Sequence, residues 1–164
     1  MGYLVREYQD ADRAKLIAAA QRQFASDDDY PLAPAVGEDI ADWLFKDIGA
    51  RRWVAVADNK VIGHMQVTPA HDYFAKGGAE LAALLPDLLE IGKLFVLADY
   101  RNMGVATALI EVAINEAGAA GKSIILATFP HLTKAIALYR DLGFRCIGAF
   151  PGKYVQNVIY FLRP

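Results

Sequence analysis

The stretch LADYRNMGVATALIEVA, residues 97–113, joins an apolar run to the start of a helix through one short polar turn. The turn contains the pattern R-x-x-G-x-A, from Arg101 to Ala106, and no Ser, Thr or Asp directly precedes the helix. The first N–H groups of a helix have no partner inside it and attract phosphate, so a bound anion would replace the missing cap. The turn therefore predicts a phosphate site. The open alternative is that Gly104 only eases the turn and Arg101 is solvated.

Two common phosphate-binding loops do not fit this turn. A Walker loop needs Gly-Lys-Ser/Thr, and the turn has no such sequence. A dinucleotide fingerprint needs three glycines and an acid about 20 residues later. Here there is one glycine, and the next strand, SIILATF (123–129), ends without an acid. We therefore expect a phosphate site of a different class.

The composition is that of an ordinary globular chain, and we expect a single domain over residues 1–164. Hydrophobic residues make up 55%, charged residues 22%, and the net charge is −2, so no basic field predicts a nucleic-acid partner. No apolar run approaches the ~18 residues of a membrane-spanning helix. The single cysteine, Cys146, fits a reducing cytoplasm. The three histidines are too widely spaced to predict a metal site, and His64 is interpreted as a satisfied packing residue.

Hydrophobic periodicity predicts the element order β-α-α-β-β-β-α-β-α-β-β. The predicted strands are 3–8, 52–58, 60–67, 88–97, 123–129, 144–150 and 155–162, and the predicted helices are 11–24, 38–48, 104–117 and 132–143. Asp58-Asn59 predicts a hairpin, and the strand–helix–strand unit over 88–129 predicts a parallel pair. The long connection over 68–87 allows one short helix near 79–85. The fold class is therefore α/β of the α+β type, a mixed, mainly antiparallel sheet with about four helices.

Two motifs in order resemble the GCN5-related N-acetyltransferase (GNAT) family. The first is V-x-x-x-x-R-x-x-G-x-A, from Val96 to Ala106, and the second is A-x-x-L-Y-x-x-x-G-F, from Ala135 to Phe144. Their spacing and the order of elements over residues 3–162 are also similar to that family. The resemblance implies a GNAT-like acyl-CoA N-acyltransferase fold, whose sheet of six or seven strands is splayed between the strands at 88–97 and 123–129.

The resemblance also implies acetyl-CoA as co-substrate, bound where those two strands part. Its pyrophosphate would meet the backbone N–H groups of the turn and the Thr107 hydroxyl. Its pantetheine would pair like an added strand with the backbone at 95–97, where a bulge would leave an N–H for the thioester oxygen. The implied cofactor-binding residues are Phe95, Val96, Leu97, Arg101, Asn102, Met103, Gly104, Val105, Ala106 and Thr107.

Tyr139 and Glu90 are the catalytic residues that the resemblance implies. Tyr139 stands at the tyrosine of the second motif and would protonate the leaving thiolate, the alternative being a packing role in the core. Glu90 lies six residues before Val96, an even spacing that keeps both on one face of a strand, and it would act as the base, often through water. The alternatives for Glu90 are an ion pair with Lys93 or a place at the fraying strand start. Leu132 replaces an asparagine that the family commonly uses for a cofactor contact.

The sequence thus predicts an acetyl-CoA-dependent N-acetyltransferase with a primary amine acceptor, either a small molecule or a peptide. The alternative from another class is a non-catalytic acyl-CoA-binding sensor or subunit. The acceptor would be read by the loops at 25–37, 68–87 and 150–155, where His71 and Tyr73-Phe74 are candidates for contact. The acids Asp27–Asp29 could draw a cationic amine toward the site, and the alternative is a solvated acidic loop. Sheet edges in this family often pair between subunits, so a homodimer is one arrangement that the resemblance allows.

Overall fold

The fold is given by a computed structural model, which describes residues 2–26, 39–151 and 158–164. The strands are β1 (Leu4–Glu7), β2 (Arg51–Ala57), β3 (Lys60–Pro69), β4 (Leu88–Val96), β5 (Ser123–Thr128), β6 (Arg145–Phe150) and β7 (Val158–Arg163). The α-helices in these ranges are α1 (Arg13–Ser26), α2 (Ile40–Phe45), α3 (Ala79–Leu84), α4 (Val105–Ala120) and α5 (Thr133–Asp141). The predicted order is confirmed, and α3 is the short helix expected in the long connection.

The strands form a mixed, mostly antiparallel sheet in the order β1-β2-β3-β4-β5-β7-β6. Strands β4 and β5 are parallel, from Leu88 opposite Ser123 to Glu90 opposite Ile125, which confirms the predicted parallel pair. The pairs β1–β2, β2–β3, β5–β7 and β6–β7 are antiparallel. The predicted hairpin turns at Asp58-Asn59, whose positive φ angles of 47° and 60° suit a tight two-residue turn.

The chain divides into two compact units. Each unit consists of two segments, which alternate along the sequence with those of the other unit. Unit 1 is Met1–Val67 with Lys93–Val112, and unit 2 is Thr68–Gly92 with Ala113–Pro164. A core cluster in unit 1 consists of Leu16, Ala19, Ala20, Phe24, Trp43, Leu44, Val54, Val61, Phe95 and Leu97. A cluster in unit 2 consists of Phe74, Leu81, Leu88, Ile125 and Tyr160. A single domain over residues 1–164 stays a prediction.

Helix α2 is shorter than its apolar spacing predicts. The predicted helix runs over 38–48, whereas the observed helix ends at Phe45 and Ile48 is fully exposed. The guanidinium of Arg52 donates to the carbonyls of Leu44 and Asp47. The bonds to Leu44 satisfy a carbonyl that a longer helix would have bonded to the N–H of Ile48, so the helix can end early.

His64 is fully buried in unit 1, and its two ring nitrogens have different environments. Its Nδ1 lies 2.8 Å from the carbonyl oxygen of Lys93. A carbonyl can only accept, so Nδ1 carries the hydrogen and Nε2 carries the lone pair. Within the part of the chain that the structure describes, Nε2 has no hydrogen-bond partner. The interpretation of His64 as satisfied therefore holds for one nitrogen only. Burial disfavours the cation and lowers the pKa of His64 to about 3.

This burial makes the stability of the fold depend on pH. Between the folded pKa of about 3 and the ordinary histidine pKa of 6.5, the unfolded chain binds a proton at His64 that the folded chain does not. Stability is therefore lost as pH falls, by about 2 kcal/mol between about pH 7 and pH 5 from this residue. Chemical denaturation across that range should show a flatter pH dependence for His64→Gln than for the wild type. The exposed His131, changed to Gln, is the matched control and should keep the wild-type slope. An unchanged slope in His64→Gln would contradict the assignment.

Candidate active site

The turn before α4 has an irregular backbone that the sequence alone did not reveal. A short 3₁₀ segment, Ala98–Tyr100, leads into Arg101, and positive φ angles follow at Asn102 (61°) and Gly104 (80°). Successive N–H groups in turns with left-handed residues can form a concave anion-binding nest. Residues 101–104 are exposed, so this backbone is open to solvent.

The amide hydrogens of this turn differ in whether the protein already uses them. The N–H of Arg101 donates to the carbonyl of Ala98 at 3.2 Å, so this predicted donor is occupied within the turn. Among the hydrogen bonds of the described residues, none uses the N–H groups of Asn102, Met103 or Gly104. The N–H groups available to a phosphate therefore begin at Asn102, whereas the sequence predicts that they begin at Arg101.

Helix α4 begins without a side-chain cap, as its sequence predicts. The carbonyl of Gly104 accepts the N–H of Ala108 at 3.0 Å, which makes Gly104 the residue that precedes the first turn. Glycine has no side-chain oxygen, so it cannot cap the N–H groups of Val105, Ala106 and Thr107. These groups have no partner inside the helix. With the amides of the preceding turn, they form a continuous set of donors.

The side chain of Arg101 stabilises the turn through hydrogen bonds to the end of β4 and to α1. Its Nε donates to the carbonyl of Val96 at 3.0 Å, and its guanidinium donates to the amide oxygen of Gln23 at 3.3 Å. Gln23 is itself buried in α1. The interpretation of Arg101 as merely solvated is therefore wrong, because its guanidinium ties the turn to the end of β4 and to α1.

The end of β4 offers fewer backbone groups for pantetheine than the sequence predicts. The N–H of Leu97 donates to the carbonyl of Ile62 in β3 at 2.9 Å, so it is already used. Successive backbone groups of a strand point to opposite edges, and Val96 therefore directs its N–H away from β3. The added-strand pairing predicted for Phe95, Val96 and Leu97 depends mainly on Val96.

Lys93 interrupts the extended backbone of β4 with a φ of 51°. Its carbonyl accepts from His64, and its ammonium lies 2.6 Å from Oδ2 of Asp47. The structure thus pairs Lys93 with Asp47, and the alternative in which it pairs with Glu90 is wrong. Even spacing places two strand residues on one face only where the backbone stays extended. The six-residue spacing therefore does not establish that Glu90 and Val96 lie on the same face of β4.

Glu90 is buried in unit 2 and accepts three hydrogen bonds from the loop after β3. Its Oε2 lies 3.2 Å from the backbone N of His71 and 2.5 Å from His71 Nδ1. The hydroxyl of Tyr73 donates to its Oε1. Glu90 is only 6% exposed, so a place at a frayed strand start is also wrong. The long connection thus supplies all the described partners of this carboxylate.

Tyr139 lies in α5 of unit 2 and is 8% exposed. Its ring packs against Phe144 and Phe161, with centroid distances of 6.0 and 5.9 Å. Burial raises the pKa of Tyr139 to about 12, and a hydrogen bond with the Thr128 side chain opposes this rise. The phenol therefore keeps its proton at neutral pH. Its packing and its capacity to donate are compatible with each other.

The remaining residues that the sequence singled out make no contact with Glu90 or with the turn before α4 in the hydrogen bonds described above. Leu132 directly precedes α5 and supplies no side-chain cap. Cys146 is exposed in β6. Asp27, Asp28 and Asp29 lie outside the described residues, as do most of the loops at 25–37 and 150–155. Within the described ranges there is no cluster of His, Cys, Asp and Glu suited to a metal ion. Nor does any helix in them have the length and apolar character needed to cross a membrane.

Sequence reasoning named His71 and Tyr73 but missed their role around Glu90. The loop that carries them has no periodicity, so nothing in the sequence gives its register against β4. The sequence offered one signal. Glu90 is an acid in an apolar strand and therefore needs hydrogen-bond donors, and the loop before this strand contains a histidine and a tyrosine. A partner search for Glu90 would have considered these two residues.

Several relatives of known class align with this chain. Human N-acetyltransferase 8 is 31% identical over 111 residues, which is 67% of this chain and 45% of that protein. An N-alpha-acetyltransferase from Saccharolobus solfataricus is 31% identical over 119 residues, 68% of this chain and 66% of that protein. The chain thus spans about half the length of the human relative and about two thirds of the archaeal one.

Solved structures and a family match agree with these relatives. A GCN5-related N-acetyltransferase from Kribbella flavida has a TM-score of 0.75 and 25% identity, covering 99% of this chain and 97% of that one. NAA60 from Arabidopsis thaliana, solved in complex with acetyl-CoA, has a TM-score of 0.75 and 19% identity, covering 98% and 97%. The Acetyltransferase (GNAT) family matches residues 14–144, which include both motifs. The chain therefore belongs to the acetyltransferase (GNAT) family.

Proposed function

We propose that this protein moves an acetyl group directly from acetyl-CoA to a primary amine of a small molecule or peptide. The single observation that carries the proposal is the set of backbone N–H groups from Asn102 through the first turn of α4. None of them donates a hydrogen bond to an acceptor outside the helix among the described residues. Relatives named as N-acetyltransferases support the reaction class. The complex of NAA60 with acetyl-CoA supports the donor, because that protein shares the fold.

The residues of unit 1 fit the diphosphate of coenzyme A. The diphosphate would accept from the N–H groups of Asn102 to Ala106, with the Thr107 hydroxyl as a further donor. The positive φ at Gly104 allows the backbone to approach a ligand without a side chain between them. Val96 would offer its outward N–H to pantetheine. This assignment leaves out the Arg101 amide, which the turn already uses.

The residues of unit 2 supply the proton transfers. The amine nitrogen forms a bond to the thioester carbon, and the carbon–sulfur bond breaks with its electron pair leaving on sulfur. Tyr139 donates its proton to that sulfur, and its pKa of about 12 keeps it protonated until then. The proton released by the amine is taken by the group centred on Glu90. No acyl-enzyme is required, so Cys146 has no step to perform.

Coenzyme A binding is the direct test of the donor site. We expect the wild type to bind coenzyme A in a calorimetric titration, and Gly104→Ala to bind it at least about tenfold more weakly. An alanine at position 104 would have to keep a φ of 80°, a strain of about 1 kcal/mol or more. In the proposed site, its methyl group would also come between the backbone and the diphosphate.

Gly118→Ala is the matched control for this titration. Gly118 lies in α4, and a Cβ there meets no atom within 4 Å. The substitution should leave coenzyme A binding unchanged and stabilise the helix by about 0.5–1 kcal/mol. Thermal unfolding of both variants separates loss of binding from loss of fold. Equal affinity in Gly104→Ala and the wild type would contradict the proposed phosphate site.

Tyr139→Phe tests the acid. Release of free thiol from acetyl-CoA in the presence of an amine panel should fall by about 10²-fold in kcat, with little change in KM for acetyl-CoA. The ring packing is kept, and only the hydroxyl and its bond to Thr128 are lost. Tyr8→Phe, a half-buried tyrosine of unit 1, is the control and should retain wild-type turnover. Binding of acetyl-CoA without thiol release for any amine, in the wild type as well, would instead indicate the non-catalytic sensor.

A further inference from the structure

The carboxylate of Glu90 is buried too deeply to meet a substrate easily by itself. Its side chain is 7% exposed, whereas the side chain of His71, bonded to it, is 41% exposed. Oε2 accepts from the backbone and the ring of His71, and Oε1 accepts from Tyr73. The loop donors thus surround both oxygens, and the accessible member of the pair is the imidazole.

The hydrogen bond to Glu90 sets which nitrogen of His71 can accept a proton. A carboxylate only accepts, so the Nδ1 that lies 2.5 Å from Oε2 carries the hydrogen. The lone pair of the neutral ring is then on Nε2. This tautomer is the one that a general base needs, because the carboxylate stabilises the imidazolium that forms when Nε2 takes a proton.

The core of unit 2 holds this pair in position. The ring of His71 stacks on Tyr73, with centroids 5.7 Å apart and an interplanar angle of 11°. Tyr73 packs on Phe74, which is fully buried against Tyr160. The Tyr160 hydroxyl donates to the Tyr73 carbonyl at 3.2 Å. The segment 71–74 is therefore fixed by aromatic packing and by hydrogen bonds, although it lies in the long connection between strands.

We propose that His71 takes the proton from the acceptor amine, and that Glu90 is the positioning residue that fixes its tautomer. The inference rests on the proposed acetyl transfer and names the base for that reaction. The acceptor arrives as an ammonium, and one N–H bond breaks as its proton moves to His71 Nε2, which leaves on nitrogen the electron pair that forms the bond to the thioester carbon. The sulfur leaves with its electron pair and takes the proton of Tyr139. The second proton that nitrogen loses as the amide forms returns through solvent to the Tyr139 phenolate. The negative charge of the pair also favours an acceptor that arrives as a cationic ammonium.

The kinetic test compares two amines of similar size but different basicity in the His71→Asn variant. Asparagine keeps an N–H donor for Glu90 but has no basic nitrogen. The probes are ethylamine, which is protonated at neutral pH, and 2,2,2-trifluoroethylamine, which is largely unprotonated. We expect kcat/KM to fall by about 10²-fold for ethylamine and by less than about threefold for the fluorinated amine. A purely structural role for His71 would lower both values equally, and that result would overturn the proposal.

Two further measurements keep failure of this inference distinct from failure of the proposed function. His131→Asn, at an exposed histidine outside the network, should leave both rates unchanged. Nitrogen-15 NMR of the wild-type imidazole should show the hydrogen on Nδ1 of His71, and Glu90→Leu, which leaves no side-chain acceptor, should remove this preference. A hydrogen on Nε2 in the wild type would overturn the inference whatever the activity. If no amine releases thiol while the Nδ1–H tautomer is present, the proposed function fails and the geometry stands.

Discussion

The constraint on which the rest of the molecule depends is that α4 begins without a side-chain cap. Gly104 precedes the first turn, and the amides of Val105, Ala106 and Thr107 have no partner inside the helix. Unsatisfied donors of this kind are stable only where water or an anion takes them. The positive φ angles at Asn102 and Gly104 add further N–H groups to the same set. The ligand that we propose for this array of donors is the diphosphate of coenzyme A.

Much of unit 1 is organised around this turn and the strand that leads into it. Arg101 bonds the Val96 carbonyl and Gln23, and His64 bonds the carbonyl of Lys93. These contacts hold two irregular pieces of backbone, the left-handed Lys93 and the turn itself. Irregular backbone costs free energy and persists where its surroundings fix it. Here polar side chains provide that support, and burial keeps one of them, His64, neutral in the core.

The sequence predicted the elements well because their apolar periods are long and clear, as in α4 and in β5. The specific spacing of the two motifs singles out Gly104 and Tyr139, whose roles at the site stay predictions. Prediction from the sequence failed where a tertiary contact overrides a local pattern. Arg52 ends α2 before Ile48, and Lys93 breaks the alternation that was used to place Glu90. The hydrogen-bond partners of Glu90 could not be predicted from the sequence either, because they lie in a loop without periodicity. Only the folded chain sets the position of that loop against β4.

The amide NMR spectrum of the protein, recorded as coenzyme A is added, reports directly on whether the N–H groups at the start of α4 bind the ligand. We expect the N–H resonances of Asn102, Met103, Gly104 and the first turn of α4 to shift together and to saturate with one affinity. The N–H of Arg101, already bonded to Ala98, should respond less than its neighbours. Saturable binding that leaves these resonances in place, or the absence of any binding, would contradict the proposed phosphate site.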